Sequence, residues 1–195
     1  MATQDVAIVD ITNGQFAFYV TGSYSPADVG TTEKIGTPTD VTLTLSALAN
    51  GAGRLSNKAT LPAARAPLWE CKIAVDFTDE LPTQGGQVHV YWCPSTSVTA
   101  GTGNLLGTDG VDGAAPGNAL GSATLADMQA VAQYIGSFTN HDGASVQNGP
   151  CGYLVNPSRY GQILVVNNSG DAFEADNVEM GVFLNPIMPQ IQAAV

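Results

Sequence analysis

The sequence predicts an all-β fold: an antiparallel, jelly-roll-like β-sandwich with one long Gly-rich loop and at most one short helix. Three observations predict it. Short segments alternate apolar and polar residues, Gly and Pro turns separate them at close spacing, and no fixed-length repeat indicates a propeller or solenoid. At 195 residues and 44% hydrophobic residues, the chain can form a single domain, residues 1–195, with a sizeable core.

The clearest alternation lies in residues 68–94, LWECKIAVDFTDELPTQGGQVHVYWCP. One parity is apolar throughout and carries Trp69, Cys71, Ile73, Val75 and Phe77, then Val88, Val90 and Trp92 after Gly85-Gly86. The opposite parity carries Glu70, Lys72, Gln87 and His89. This pattern predicts two paired strands with one buried and one solvent-facing side.

Shorter signals predict the elements before this pair. Residues 6–11 and 16–21 flank Asn13-Gly14, a strong hairpin signal. Residues 23–40 are polar and contain two prolines, which indicates a loop. Val41, Leu43 and Leu45 then alternate with polar residues, and a second extended piece follows as far as Leu61.

Residues 94–124 form the long Gly-rich excursion. They hold seven glycines and two charged residues, Asp109 and Asp112. Leu105, Leu106, Val111 and Leu120 also lie here, and a freely solvated linker would not need them. Long loops in compact domains are uncommon. We therefore expect the excursion to pack on something, either its own domain or a neighbouring subunit.

The remaining segments predict one ambiguous element and three strands. Residues 125–138 have helical spacing with Thr124 as a cap, yet residues 130–138 also fit a strand. Strands are expected near residues 151–157, 160–169 and 177–186, and residues 139–150 as a loop. In the last strand Val178, Met180, Val182 and Leu184 share one face, and an apolar, Pro-broken tail occupies residues 185–195.

Charge argues against two classes of partner. The net charge is −11, and the six basic residues form no cluster, so we expect no nucleic-acid partner and no anionic membrane surface. The first residues lack a secretory-signal pattern, and no apolar run approaches about 18 residues. These features predict synthesis in a cytoplasm without a membrane span.

The sequence gives no candidate catalytic, cofactor-binding or metal-binding residues. His89 and His141 have no nucleophile elbow nearby in sequence, and the three cysteines lack metal-ligand spacing. We expect Cys71, Cys93 and Cys151 to be free thiols, with a Cys93–Cys151 bridge as the alternative. GTGNLLG lacks the Lys-Ser/Thr of a phosphate loop, and the glycosylation sequon at Asn167 means little without a secretory signal.

Two ligand classes stay open as alternatives. Calcium is one, through carboxylates in two turns, Asp109 with Asp112 and Asp171 with Glu174 and Asp176. A sugar-stacking platform is the other, drawn from Tyr19, Tyr24, Tyr134, Tyr153 and Tyr160. Packing is the favoured role for these tyrosines, because their spacing sets no row.

The order of segments resembles a known family. It runs from TLTLSALANGAGRLSNKATLPAARAPLWECKIAVDF through PTQGGQVHVYWCPSTS and the Gly-rich excursion to YGQILVVNNSGDAF and EMGVFLNP. This order, over residues 41–186, resembles the head decoration, or cement, proteins of tailed bacteriophages. The resemblance implies a jelly-roll-like virion protein that forms a homotrimer, binds the major capsid protein on the outer surface of the head and stabilises it.

These expectations combine into a non-enzymatic virion protein made in the host bacterial cytoplasm, without a cofactor. A low charged fraction of 12% suits a protein that packs against neighbours, since fewer charges must be desolvated. A carbohydrate-binding or adhesin-like sandwich, as in a head or tail fibre, is the alternative. A hydrolase using His89 or His141 is the third reading.

Overall fold

The computed structural model describes residues 14–20, 22, 24, 34–117, 122–176 and 178–187, and it confirms the all-β prediction. The described strands are β1 Phe16–Tyr19, β2 Thr39–Thr42, β3 Gly53–Leu55, β4 Ala59–Thr60, β5 Leu68–Asp76, β6 Gln87–Ser95, β7 Gly113–Ala115, β8 Gln133–Thr139, β9 Val146–Val155, β10 Tyr160–Asn168 and β11 Gly181–Ile187. One α-helix, α1, spans Leu125–Val131 in this part of the chain, and a 3₁₀ turn spans Leu105–Gly107. The hairpin predicted around Asn13-Gly14 lies mostly outside the described residues.

The strands form two half-sheets that meet at one corner. The first runs β2-β1-β11-β5-β9 and the second β8-β6-β10-β3-β7, with β4 also on β10. Their pairings are antiparallel except that of β1 with β2, which is parallel. Strand β8 joins β9 through the pairing of Gly136 with Gly152. The curled sheet therefore folds over into the two-layered sandwich that the sequence predicts.

Strands β5 and β6 do not pair with each other, so the predicted two-stranded unit is wrong. β5 pairs with β11 and β9, whereas β6 pairs with β10 and β8. The predicted inward parity is nevertheless correct on both strands, and its members all belong to one core cluster. The two strands face each other from opposite layers, because the connection through residues 77–86 is long enough to cross the sandwich.

The core between the layers is closely packed. Trp69, Trp92, Phe18, Phe77 and Phe173 are almost completely buried, and full burial of a large apolar side chain stabilises a fold by about 1.5–3 kcal/mol. Both indole nitrogens find acceptors: Trp69 Nε1 donates to Ala66 O and Trp92 Nε1 to Ser158 Oγ, each at 2.9 Å.

Residues 125–139 contain both of the elements that the sequence left open. Thr124 begins the helix with a capping box, in which its Oγ1 accepts from Asp127 N while Asp127 Oδ2 accepts from Thr124 N. The helix ends before Ala132, and β8 follows at once. The helical and alternating patterns therefore belong to successive segments.

The alternation predicts that the outward face of β6 is exposed to solvent, but part of this face is buried. Tyr91 and Cys93 are buried with Met128 and Leu164 beneath α1 and the 3₁₀ turn. Two boundaries also differ from prediction. β9 begins at Val146, inside the predicted loop, and β11 continues to Ile187, into the predicted tail; residues 188–195 lie outside the described part.

Candidate docking surface

The Gly-rich excursion packs on its own domain, which settles one of the two expectations for it. Lys58 lies in the connection between strands β3 and β4. Its Nζ donates to three main-chain carbonyls of the loop: Ser97 O at 3.1 Å, Thr99 O at 2.5 Å and Thr102 O at 2.9 Å. Partial burial lowers the pKa of Lys58. The three carbonyls supply the acceptors that a partly desolvated ammonium needs, so they fix the near end of the loop.

An ion pair fixes the middle of the excursion; Leu120, later in the same segment, lies outside the described residues. Arg54 on β3 binds Asp112 in two-pronged geometry, with Nε to Oδ1 at 3.0 Å and Nη2 to Oδ2 at 2.9 Å, and Thr44 adds two hydrogen bonds. Burial alone would raise the pKa of Asp112, but hydrogen bonds from Arg54 and Thr44 outweigh it and hold the pKa below its usual value. Asp112 therefore acts as an anchor for the loop, and its carboxylate is already occupied.

The interior of the excursion is ordered by its own contacts. The Asn104 amide nitrogen donates to Ala100 O and Thr108 O, each at 2.5 Å, and Thr108 Oγ1 donates to the buried Gln162 Oε1 at 3.0 Å. A Cβ on Gly110 would lie 2.1 Å from Ala100 O, so the loop requires glycine there. Val98, 61% exposed, lies between Ser97 and Thr99, whose carbonyls bind Lys58.

A row of apolar side chains crosses three strands at one end of the first half-sheet. Leu68 on β5 pairs with Ile187 on β11 and with Val155 on β9. Val155 is 48% exposed, Ile187 39%, and Leu68 is half-buried. Tyr153, 55% exposed, lies two residues before Val155 on β9, so its side chain is on the same face. We call these four residues the apolar row; it is rigid because hydrogen-bonded strands carry it, and roughly 10 Å wide across three strands.

Three rings cluster on β6 and β8, and Tyr134 is the exposed one. Tyr134 lies opposite Tyr91, with ring centroids 5.1 Å apart, and the His89 ring lies 6.1 Å from that of Tyr134. Gln129 of α1 donates to Tyr91 Oη at 3.1 Å. Half of Tyr134 is exposed, so one tyrosine face is open beside an imidazole and an amide.

The tyrosines proposed as a sugar platform do not form one surface. Tyr19 is buried and packs with Tyr24, which in turn packs against Phe183. Tyr160 lies beneath the guanidinium of Arg159. Tyr134 and Tyr153 are the exposed members of the five.

Neither histidine contact resembles a hydrolytic pair. His89 Nδ1 lies 3.4 Å from Tyr134 Oη, and burial lowers the pKa of His89. His141 Nδ1 accepts from the main-chain nitrogen of Gly143 at 2.9 Å. The partner is a phenol in the first case and a main-chain amide in the second.

Carboxylates meet in a shallow cavity of about 290 Å³ where β5 ends. It is lined by Asp76, Asp79, Glu174, Asp176 and Glu179, among others. Glu174 Oε2 accepts from Asp79 N, and Asp76 Oδ1 accepts from the main chain and hydroxyl of Thr78, so these carboxylates hold two turns together. Of the predicted calcium residues, Asp171 binds the nitrogen of Ala172 instead. Within the described residues, no three His, Cys, Asp or Glu side chains are grouped to hold a metal ion.

The glycosylation sequon is closed to modification by the fold. Asn167 is fully buried, and its amide donates to Leu48 O and Asp171 O while its oxygen accepts from Ser169. Across the described ranges, no helix has the length and apolar character to cross a bilayer.

Comparison with known proteins finds one remote structural likeness. No protein-family profile matches the chain, and no curated protein does so either. Among solved structures, the chain is similar to a GH26-CBM35 beta-(1,4)-mannanase from Podospora anserina, at 12% identity and a TM-score of 0.43. The likeness covers 91% of this chain but 29% of that one. The chain thus spans less than a third of that protein's length, and nothing of its activity is carried over.

Proposed function

We propose that the chain is a non-enzymatic virion protein, a decoration or cement protein that forms a homotrimer on the outer surface of a phage head and stabilises it. The apolar row carries the proposal. Leu68, Val155 and Ile187 place an apolar strip across a stiff three-stranded surface, and Tyr153 lies beside it, opposite Glu70. Interfaces between identical subunits are more apolar than the rest of a protein surface, so we assign the row to the contact between copies.

The fixed excursion provides a separate contact for the head. Lys58 and the Arg54–Asp112 pair hold its start and its middle, so the exposed Val98 is presented without a large ordering cost on binding. Many identical weak contacts across a capsid lattice then give strong retention through multivalency. The major capsid protein is the partner in this scheme.

Two measurements test the proposal. Light scattering on the purified protein should give about 60 kDa, three times the 20.0 kDa chain mass. The protein should also co-sediment with empty heads that lack it, and raise their resistance to heat. A monomer at high concentration contradicts the trimer, and absence from the pelleted heads contradicts the decoration role.

A second candidate function is carbohydrate binding, and the open face of Tyr134 favours it. A tyrosine ring can stack on the C–H face of a pyranose, while His89 and Gln129 offer polar atoms beside it. A glycan array tests this directly: a sugar signal that Tyr134→Ala abolishes and Tyr153→Ala leaves intact would support this function over decoration. An array without signal removes the candidate.

A further inference from the structure

Two of the three cysteines lie side by side across β5 and β9. Cys151 Sγ lies 3.0 Å from Cys71 Sγ and 3.4 Å from Cys71 O. Both residues are buried in the core between the layers. Cys93 lies in the separate cluster beneath α1. The fold therefore brings together Cys71 and Cys151, and not the Cys93–Cys151 pair considered from the sequence.

The local backbone explains why these two side chains meet. Cys71 pairs with Gly152, but the next residue, Lys72, pairs with Pro150, so Cys151 is the extra residue of a β-bulge. Bulges re-aim side chains, and this one turns Cys151 Sγ towards Cys71. Gly152 also pairs with Gly136 at the corner between the half-sheets. A covalent bond at this point would fasten the strand that joins the two layers.

We propose that Cys71 and Cys151 form an oxidative modification site, which hydrogen peroxide converts into a cross-strand disulfide. The sulfur atoms must approach from 3.0 Å to about 2.05 Å. Such a movement of about 1 Å can be shared by rotation of two side chains on adjacent strands.

The chemistry balances with peroxide as the oxidant. Cys151, which retains slight exposure, loses its thiol proton and its sulfur attacks one peroxide oxygen; the O–O bond breaks and the departing hydroxide takes up a proton to become water. Cys71 Sγ then attacks the sulfenic sulfur of Cys151. The S–S bond forms, the S–O bond breaks, and the hydroxyl leaves with the Cys71 proton as a second water. Two thiols lose two electrons, and one peroxide becomes two waters.

Burial sets the pace of this reaction. It raises the pKa of Cys71 well above the usual value, and contact with Cys151 adds to the effect. The thiolate is the reactive form, so we expect the attack of Cys71 on the sulfenic sulfur of Cys151 to be slow at neutral pH and to accelerate as pH rises. The usefulness of the bond rests on the proposed function, because a virion protein folds in a reducing cytoplasm and then persists in an oxidising exterior.

The test uses the isolated full chain and needs no capsid, so failure of the disulfide and failure of capsid docking are separate results. After peroxide treatment the intact mass should fall by two hydrogen atoms, and a maleimide added in denaturant should label one cysteine instead of three. Peptide mapping should find Cys71 linked to Cys151 and Cys93 labelled. Because the bond closes a separation of 80 residues, it should raise Tm by about 10 °C.

Cys93→Ala is the matched control, since it removes a buried thiol outside the pair. Its mass should still fall, with no remaining labelled cysteine, and a reductant should restore the starting mass and Tm. Cys71→Ala and Cys151→Ala should each keep their mass; if either fails to fold, the wild type and Cys93→Ala still decide. An unchanged mass, gain of oxygen without a link, a link to Cys93 or a bond between chains would overturn the proposal.

Discussion

Gly136 and Gly152 face each other where β8 meets β9, so closely that neither position has room for a side chain. A Cβ on Gly136 would lie 1.8 Å from Cys151 O, and one on Gly152 would lie 2.2 Å from Ile135 O. These are distances that no rotamer change relieves, because the obstructing atoms belong to the backbone. The corner between the half-sheets therefore depends on two glycines, sixteen residues apart, that pair with each other.

Gly136→Ala should accordingly destabilise the protein by at least about 3 kcal/mol, or prevent folding, because the strands must separate to admit the methyl group. Gly51→Ala is the control: Gly51 has a φ of +80° but no atom within 4 Å of a built Cβ. Its cost should be about 1 kcal/mol, from backbone strain alone. Denaturant unfolding compares the two, and equal losses would show that the corner tolerates a side chain.

Asp112→Asn should make the free energy of unfolding less dependent on pH in the acidic range. The pKa of Asp112 is lowered in the folded state, so its carboxylate stabilises the protein above the ordinary aspartate pKa, and this contribution disappears as pH falls through the folded pKa. We expect the variant to lose about 1–3 kcal/mol at pH 7, the value of charge-assisted hydrogen bonds, and to approach the wild type below about pH 4. Unfolding curves across this pH range, with exposed Asp142→Asn as the control, measure the effect. A gap that persists unchanged in acid contradicts it.

Lys58→Met should release the near end of the excursion while leaving the sandwich folded. Three carbonyls lose their shared donor, and since the site is partly exposed we expect a loss of about 1–2 kcal/mol. Hydrogen exchange at the amides of Thr96 and Thr102, which close turns within this loop, should accelerate about tenfold. Exposed Arg159→Met serves as the matched loss of a cation. Unaltered exchange in Lys58→Met would mean that other contacts hold the loop.

Val155→Asp should convert the proposed trimer into a monomer. The side chain is half exposed and a carboxylate there remains hydrated in the free chain. The substitution should therefore change the folding stability of each single chain by no more than about 0.5 kcal/mol. At a contact between copies, three carboxylates would have to be desolvated. Light scattering checks the mass, and Thr139→Asp, on an exposed position of β8, is the control. A Val155→Asp trimer would remove the apolar row from the subunit contact.

The alternation in the sequence predicted which side chains are buried better than it predicted which strands pair. Trp69 and Trp92 both lie in the core as their parity required, because side-chain period follows from strand geometry alone. The predicted pairing of β5 with β6 is wrong because alternation does not specify which strands are neighbours. The length of residues 77–86, beyond the usual two to five residues of a hairpin loop, was the available signal.

The surface features were harder to predict because they depend on residues distant in sequence. Lys58 binds main-chain carbonyl oxygens. Every residue carries one, so the sequence does not indicate which residues are its partners. His89 and Tyr134 are 45 residues apart and meet only because β6 pairs with β8. The apolar row likewise requires the register of three strands. The thiol pair follows from a bulge, and no spacing rule locates one.

The described ends of the sheet have a consequence for the behaviour of crowded copies. β2 and β7 end the strand path, with four and three residues respectively. Exposed Asp40 lies on β2, and Pro116 follows β7 at once. Short edge strands that carry a charge or are followed by a proline are poor templates for amyloid-like growth. We therefore expect concentrated solutions of this chain to remain free of fibrils.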